Sequence, residues 1–304
     1  AYFRRDDVYA ATPSNLAKRL IECFAAKLHY PTIVADISVA FLHAPSGAET
    51  IYVEPPDEFF WEVDAPIGSM GWRLLKQLYG CRGAPRAWQE HLVTILLELD
   101  FIRLKTNPTM FYSAARCVLL DVHVDDFHAT GPAEQLEEVF GKLKLIKVSP
   151  VYGVGSTYDY LRATHVRTEK GIYVVPSTRY VDDCQKLLGL ENCSTCPTPG
   201  RQVTVEERPE HSIALDDERA ATYRSCVGKL IYHSQLRYDI QWCVGDLCRE
   251  IKTPSEGAWK SLKRLIRYCS GTKDLAQFFS AEGHMDHIEV FVDASWASCV
   301  HTRK

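Results

Sequence analysis

A chain of 304 residues that is 46% hydrophobic and 24% charged has an ordinary globular composition and room for about two domains. That excludes a disordered or collagen-like chain, and no apolar run approaches the roughly 18 residues of a membrane helix. Thirty-five Lys and Arg against thirty-nine Asp and Glu leave a formal charge of −4, so a nucleic-acid site must be a local basic patch. Eleven cysteines, scattered through helix- and strand-like segments, read as reduced intracellular thiols rather than a disulfide framework. The N-terminus lacks the apolar stretch of a signal peptide. The missing Met, together with the end at His-Thr-Arg-Lys, predicts a piece of a longer polyprotein or an incomplete gene model.

In chain order, Thr12 and Pro13 predict a helix start, with Leu16, Leu20, Phe24 and Leu28 recurring every four residues. A short apolar strand, Ile33 to Ile37, carries one acid, Asp36. Residues 43–71 are rich in Pro, Gly and Glu around a strand-like Ile51-Tyr52-Val53, a loop or flap excursion. A second helix starts near Ala84-Pro85, with Trp88, Leu92, Ile95, Leu96 and Leu99 on one face. Cys117 to Val124 and Phe127 to Gly131 read as a β-hairpin whose tip is Asp125-Asp126. Helical spacing covers 133–147, and Tyr158 to Val166 with Gly171 to Val175 reads as a further strand pair. From 176 onward the pattern is mostly helical. An acidic linker at 205–219 is followed by helices over 220–236, 239–251 and 254–270, the last opened by the capping box Thr253-Pro254-Ser255-Glu256. A new strand begins at Ile288 to Asp293.

Two places put acid where burial predicts none: Asp36 in an apolar strand, and Asp125-Asp126 at an apolar hairpin tip. Such carboxylates are costly unless paired or metal-bound. Three brought together repel one another, and a pair of Mg²⁺ ions resolves that repulsion while activating an attacking oxygen and a leaving phosphate. The plainer alternative is a turn-capping Asp36 and an ordinary hairpin loop. Residues 72–88 hold Arg73, Lys76, Arg82 and Arg86 and no acid, a local positive patch suited to a polyanion, or else a solvated helix start. Lys260, Lys263, Arg264 and Arg267 share one face of the last helix, placed either to track a duplex backbone or simply to be solvated.

Asp36-Ile-Ser-Val-Ala-Phe-Leu-His-Ala resembles the first catalytic motif of copia-type LTR-retrotransposon reverse transcriptases. Leu75-Lys-Gln-Leu-Tyr-Gly-Cys-Arg-Gly-Ala-Pro-Arg-Ala-Trp88 is similar to their template-grip motif, and Val122-His-Val-Asp-Asp126 to their second carboxylate motif, usually Tyr-Val-Asp-Asp. Tyr223 to Tyr232, Arg237 to Ile240, Trp259 to Tyr268 and Gly271 to Asp274 resemble the segment preceding RNase H.

The resemblance implies an α+β right-hand palm with partial fingers, built of antiparallel sheet and packed helices over 1–175. A helical thumb or connection region would span 176–283, and a truncated start of RNase H 284–304. It implies RNA-directed DNA polymerase activity, with Asp36, Asp125, Asp126 and the Ile37 carbonyl holding two Mg²⁺ ions (Mn²⁺ as a substitute). Phe41 would gate against the ribose 2′-OH, and Tyr79, Gly80 and Arg82 would face the dNTP. Lys76, Arg86, His123, Lys260, Lys263, Arg264 and Arg267 would meet template and primer. The expected partners are an RNA/DNA template-primer, dNTPs and the rest of a Pol polyprotein (integrase upstream, RNase H downstream), with no membrane. His123 departs from the usual Tyr and brings a group titrating near pH 6–7. Asp293 matches the first RNase H carboxylate, but no RNase H activity is expected. The literal Tyr-Val-Asp-Asp at Tyr180 to Asp183 has helical spacing and is rejected, and neither Cys193/Cys196 nor His284/His287 supports zinc. The rival functions are a nucleic-acid-binding remnant without activity and a metal-dependent phosphohydrolase.

Overall fold

The computed structural model describes residues 9–47, 50–143, 146–201, 204, 206, 208–283 and 289–292. Helix α1 (Asn15–Lys27) is capped by Ser14, whose hydroxyl accepts from the Ala17 amide, so Thr12 and Pro13 lie before it. Its buried residues are Ala17, Ile21, Glu22, Ala25 and Ala26, whereas Leu16 and Leu28 of the predicted stripe face solvent. The reason is positional. The helix lies between two sheets, and small side chains let it approach both.

Strand β1 (Thr32–Ile37) precedes the expected excursion, in which β2 (Tyr52–Val53) and β3 (Trp72–Arg73) pair around the short helix α2 (Asp57–Glu62). Then follow α3 (Ala84–Glu98), β4 (Ile102–Arg103), β5 (Met110–Ser113), β6 (Val118–His123), β7 (Asp126–Thr130), α4 (Ala133–Lys142) and β8 (Ile146–Val148). The first sheet runs β4-β5-β6-β7-β1-β8, antiparallel throughout. The helix predicted over 133–147 therefore stops at Lys142, and the chain returns along the edge of β1.

Strand alternation divides the sheet's faces. Ile33, Ala35, Ile37, Leu120, Val122, Phe127 and Ala129 pack against Trp88, Leu92 and Leu96 of α3 and Leu136, Val139 and Phe140 of α4. The opposite face carries Leu119 and Met110 beneath α1. Asp36 and Asp126 alternate onto this second face, which is open at their end of the strands.

A second sheet, ordered β12-β11-β10-β9, covers the far side of α1. It comprises β9 (Thr157–Tyr160), β10 (Ala163–Thr168), β11 (Gly171–Pro176) and β12 (Gln277–Ser280). The single strand predicted from Tyr158 to Val166 is broken by Leu161 and Arg162, both left-handed at φ 46° and 63°, with no Gly or Asn to announce the turn. Helices α5 (Arg179–Leu188), α6 (Asp217–His233), α7 (Tyr238–Arg249) and α8 (Glu256–Gly271) share a core around Tyr223, Leu230, Ile240, Leu262 and Ile266. Helix α8 is capped by Ser255, not Thr253. The expected helical region beyond 176 thus also supplies β12, which rejoins the earlier sheet.

The architecture is α+β, antiparallel sheets with packed helices followed by a helical cluster. None of the helices among the described residues is long and apolar enough to cross a membrane. Asp293, His284 and His287 lie outside the described residues. Of the strand expected from Ile288, only 289–292 are described, without regular structure.

Candidate active site

Antiparallel register places Asp36 of β1 directly opposite Asp126 of β7. Residues so paired point their side chains to the same face, with Cβ atoms about 4.5–5.5 Å apart. The row continues on both sides: His123 of β6 pairs with Asp126, and Lys147 of β8 pairs with Asp36. Asp125 precedes Asp126 in the hairpin tip, and its carbonyl accepts from the Ile37 amide at 3.0 Å. The three carboxylates predicted to converge are therefore gathered at one end of the sheet, with the tip tied to β1.

The electrostatics follow from that crowding. Burial, then the charges of Asp125 and Asp36, push the Asp126 carboxyl up to about 6. Burial, aided by Lys18 and opposed by Asp125, moves the His123 pKa below its ordinary value. Its Nδ1 is buried without a hydrogen-bond partner. Among the described residues, no three His, Cys, Asp or Glu side chains already stand close enough together to enclose one ion. The donor set nonetheless suits a hard divalent cation. It is all oxygen, and it consists of acids whose mutual repulsion such a charge offsets.

Beyond Asp36 the chain leaves β1 through Val39, left-handed at φ 52°, into a 3₁₀ turn (Ala40–His43) that carries Phe41. The segment predicted to grip the template packs beside this turn. The Gln77 amide donates to Ala44 O at 2.9 Å and its side chain to Pro45 O at 3.0 Å, while Lys76 Nζ donates to His43 O at 2.9 Å. Tyr79 is thereby set against Phe41. Gly80 has φ 96°, and nothing lies within 4 Å of where a side chain would start.

The family model described as "Reverse transcriptase (RNA-dependent DNA polymerase)" matches residues 4–202, well over half of the sequence. The chain belongs to the reverse transcriptase family. Among its relatives, the Pol polyprotein of transposon RE2 from Arabidopsis thaliana is 29% identical over 95% of this chain, and that of TNT 1-94 from Nicotiana tabacum 26% over 98%. The reverse transcriptase chain spans 20% and 23% of those two polyproteins. A Ty5-1 transposon protein from Saccharomyces cerevisiae is 23% identical over 86% of this chain and 82% of its own length. The domain is of the copia type that the sequence motifs resemble. A foamy viral protease-reverse transcriptase in complex with RNA/DNA hybrid aligns over 84% of this chain and 29% of its own, at 13% identity and TM-score 0.41.

Other expected contact residues are differently placed in this reverse transcriptase. Arg86 bonds Glu90 one turn along α3 at 2.8 Å. On α8, Lys260 pairs with Glu210 at 2.5 Å, Arg264 donates to Thr198 Oγ1 at 2.7 Å, and Arg267 donates to Ser194 O at 2.6 Å. Lys263 stands over the Trp259 ring at 5.3 Å. Lys260, Arg264 and Arg267 thus hold Glu210, Thr198 and Ser194 of the chain itself, a use that helical spacing does not reveal. The second Tyr-Val-Asp-Asp lies inside α5, where Asp182 bonds Lys273 and Asp183 pairs with Lys229. Lys147 escaped sequence reasoning because its segment continues a helical pattern, and only strand pairing brings it beside Asp36.

Proposed function

We propose that the chain is the polymerase core of an RNA-directed DNA polymerase, joining dNTPs to a primer 3′-OH on an RNA template. The observation that carries this is the row His123–Asp126–Asp36–Lys147 with Asp125 bound to β1 beside it. Asp36, Asp125 and Asp126, with the Ile37 carbonyl, would hold two divalent ions, Mg²⁺ or Mn²⁺. When bound, these ions supply Lewis-acid activation of the primer hydroxyl and charge neutralisation at the transferring phosphate.

The protein's own contribution is positioning and preorganised charge. The tip bond from Ile37 fixes the spacing between the two carboxylate-bearing strands. Phe41, braced by Tyr79, would lie under the incoming sugar, and a ribose 2′-OH would clash with its ring. Gly80 would let the backbone approach the nucleotide, with Arg82 beside it. Lys76 would meet template and primer through charge, joined by Arg86 and Lys263 if they exchange Glu90 and the Trp259 ring for phosphate. His123 would pack against the primer end. Lys147 places a cation next to Asp36, on the side where phosphate charge would collect. The wider Pol setting of the relatives suggests that integrase and RNase H segments accompany this one, as the motif near Asp293 implies.

Primer extension on a primed RNA template with dNTPs and Mg²⁺ tests the reading. Asp36→Asn and Asp125→Asn are each expected to abolish extension while sparing duplex binding. Undiminished extension in either variant would refute the assignment. Duplex binding by the wild-type chain without extension would identify an inactive nucleic-acid-binding remnant.

A further inference from the structure

We infer that Trp88 is a positioning residue for the carboxylate tip, acting through its indole N–H on the carbonyl of Val124; this rests on the polymerase reading above. Trp88 lies on α3, 2% exposed, and its Nε1 donates to Val124 O at 2.7 Å, at the short end for an N–H···O bond. Val124 immediately precedes Asp125 and is left-handed at φ 61°. A β-branched residue seldom adopts that conformation, and one found there is held by its surroundings.

Two holds are present. The Ile37 amide bonds the carbonyl of Asp125, and the Trp88 indole bonds that of Val124, so adjacent peptide units are gripped from β1 and from α3. The same indole also neighbours the Phe41 turn, its ring centroid 6.3 Å from that of His43. That turn too is entered by a left-handed valine, Val39 at φ 52°. Trp88 thus bonds the strained turn leading to Asp125 and lies beside His43, at the far end of the turn that leaves Asp36. Any large ring would fill its place in the core. Only a ring with an N–H restrains the tip.

The test separates ring from N–H. Trp88 is replaced by Phe, and separately by β-(3-benzothienyl)alanine, in which sulfur takes the place of the N–H in a ring of nearly the same shape. Both are expected to lower the maximal single-turnover incorporation rate roughly ten- to a hundredfold, the penalty for misplacing a reacting group by about an ångström. Primer-template Kd and dNTP KM should stay within about twofold. Adding Val124→Gly, which reaches this φ without strain, should recover part of the rate lost in Trp88→Phe. Amide exchange at Asp125 and Asp126 should quicken in the benzothienyl protein.

A benzothienyl protein with wild-type rate and wild-type tip exchange overturns the inference. So does a loss confined to binding or thermal stability with no recovery by Val124→Gly. Because exchange at the tip is read without catalysis, a chain that extends no primer yet shows unaltered exchange still overturns it. Absent extension in the unmodified protein would sink the polymerase reading separately.

Discussion

Phe41 and Tyr79 stand with ring centroids 4.6 Å apart, although the whole flap excursion separates them in sequence. Tyr79 is about half exposed, while Phe41 is half-buried against the core of the first sheet, so the exposed ring braces the anchored one. Phe41→Ala is therefore expected to relax discrimination against ribonucleotides at least tenfold, read as the ratio of incorporation efficiencies for a dNTP and its rNTP. Tyr79→Ala should produce a smaller change of the same sign, since it leaves Phe41 in place but unbraced. Unchanged selectivity in Phe41→Ala would remove the gate.

The literal Tyr-Val-Asp-Asp at 180–183 predicts a contrast with the Asp125-Asp126 hairpin proposed for catalysis. Asp183 pairs with Lys229 at 3.4 Å and Asp182 with Lys273 at 2.6 Å, both partly exposed, tying α5 to its neighbours. Asp183→Asn and Asp182→Asn should each leave extension within about twofold of wild type. Each should lower stability by no more than about 1 kcal/mol, as such surface pairs do. Loss of extension in either would mean that the carboxylate motif has been placed on the wrong segment.

What was legible in the sequence, and what was not, divides along contact range. Asp36 and Asp125-Asp126 stood out because acids in apolar strands violate a local rule, and the register of β1 with β7 then brought them together. The buried face of α1 was missed because Leu16, Leu20, Phe24 and Leu28 make the stronger stripe, whereas a helix between two sheets is chosen for small residues. Nothing near Leu161-Arg162 announces a left-handed turn. No local signal links Trp88 to Val124, or Arg264 to Thr198, because those bonds exist only once distant elements have packed.

The basic face of α8 gives a prediction about salt. Its Lys260, Arg264 and Arg267 are engaged with Glu210, Thr198 and Ser194. Joint substitution of the three by Ala should leave the salt dependence of duplex binding unaltered while speeding proteolysis within 194–210. Lys147→Ala should instead reduce the slope of log K against log salt by about one, as expected for one lost phosphate contact. A shallower slope in the α8 triple variant would restore that helix as a duplex contact.

The junction between the two sheets is held by charge inside the protein. Arg167 of β10 is 3% exposed, and its guanidinium donates to Tyr30 O at 2.6 Å and to Thr32 Oγ1 at 3.2 Å, at the start of β1. Glu22 of α1 approaches His165 Nδ1 at 2.8 Å. Burial alone would raise the Glu22 pKa, but His165, His128 and Arg167 more than reverse this and hold it below the ordinary range. Arg167→Ala should cost about 3–5 kcal/mol in urea denaturation, the penalty for breaking a buried charge network. A loss below 1 kcal/mol would show that the sheets are held by packing alone.

Asp121 of β6 supplies the last prediction, because it is fully buried with only partial compensation. Thr109 Oγ1 donates to its Oδ1 at 2.8 Å, while Oδ2 has no partner. The facing groups are Lys18 of α1, His128 across the β6–β7 pairing, and the Tyr160 hydroxyl of β9. Burial, only partly offset by Thr109 and Lys18, pushes its pKa from 3.8 up to about 6. For an acid raised on folding, the folded state binds the proton more tightly, so any stabilisation belongs to low pH. It fades as pH rises from about 4 to 6, and above 6 the fold carries a buried charge that the unfolded chain would solvate. Asp121→Asn keeps an acceptor for Thr109 and removes that charge. At pH 8 it should therefore stabilise the protein, by up to about 3 kcal/mol from a two-unit shift. The gain should shrink steadily as pH falls from 6 toward 4. Urea denaturation of both proteins across that range reads the difference directly, and a gain independent of pH would mean that Asp121 is already neutral, or already paired, at pH 8.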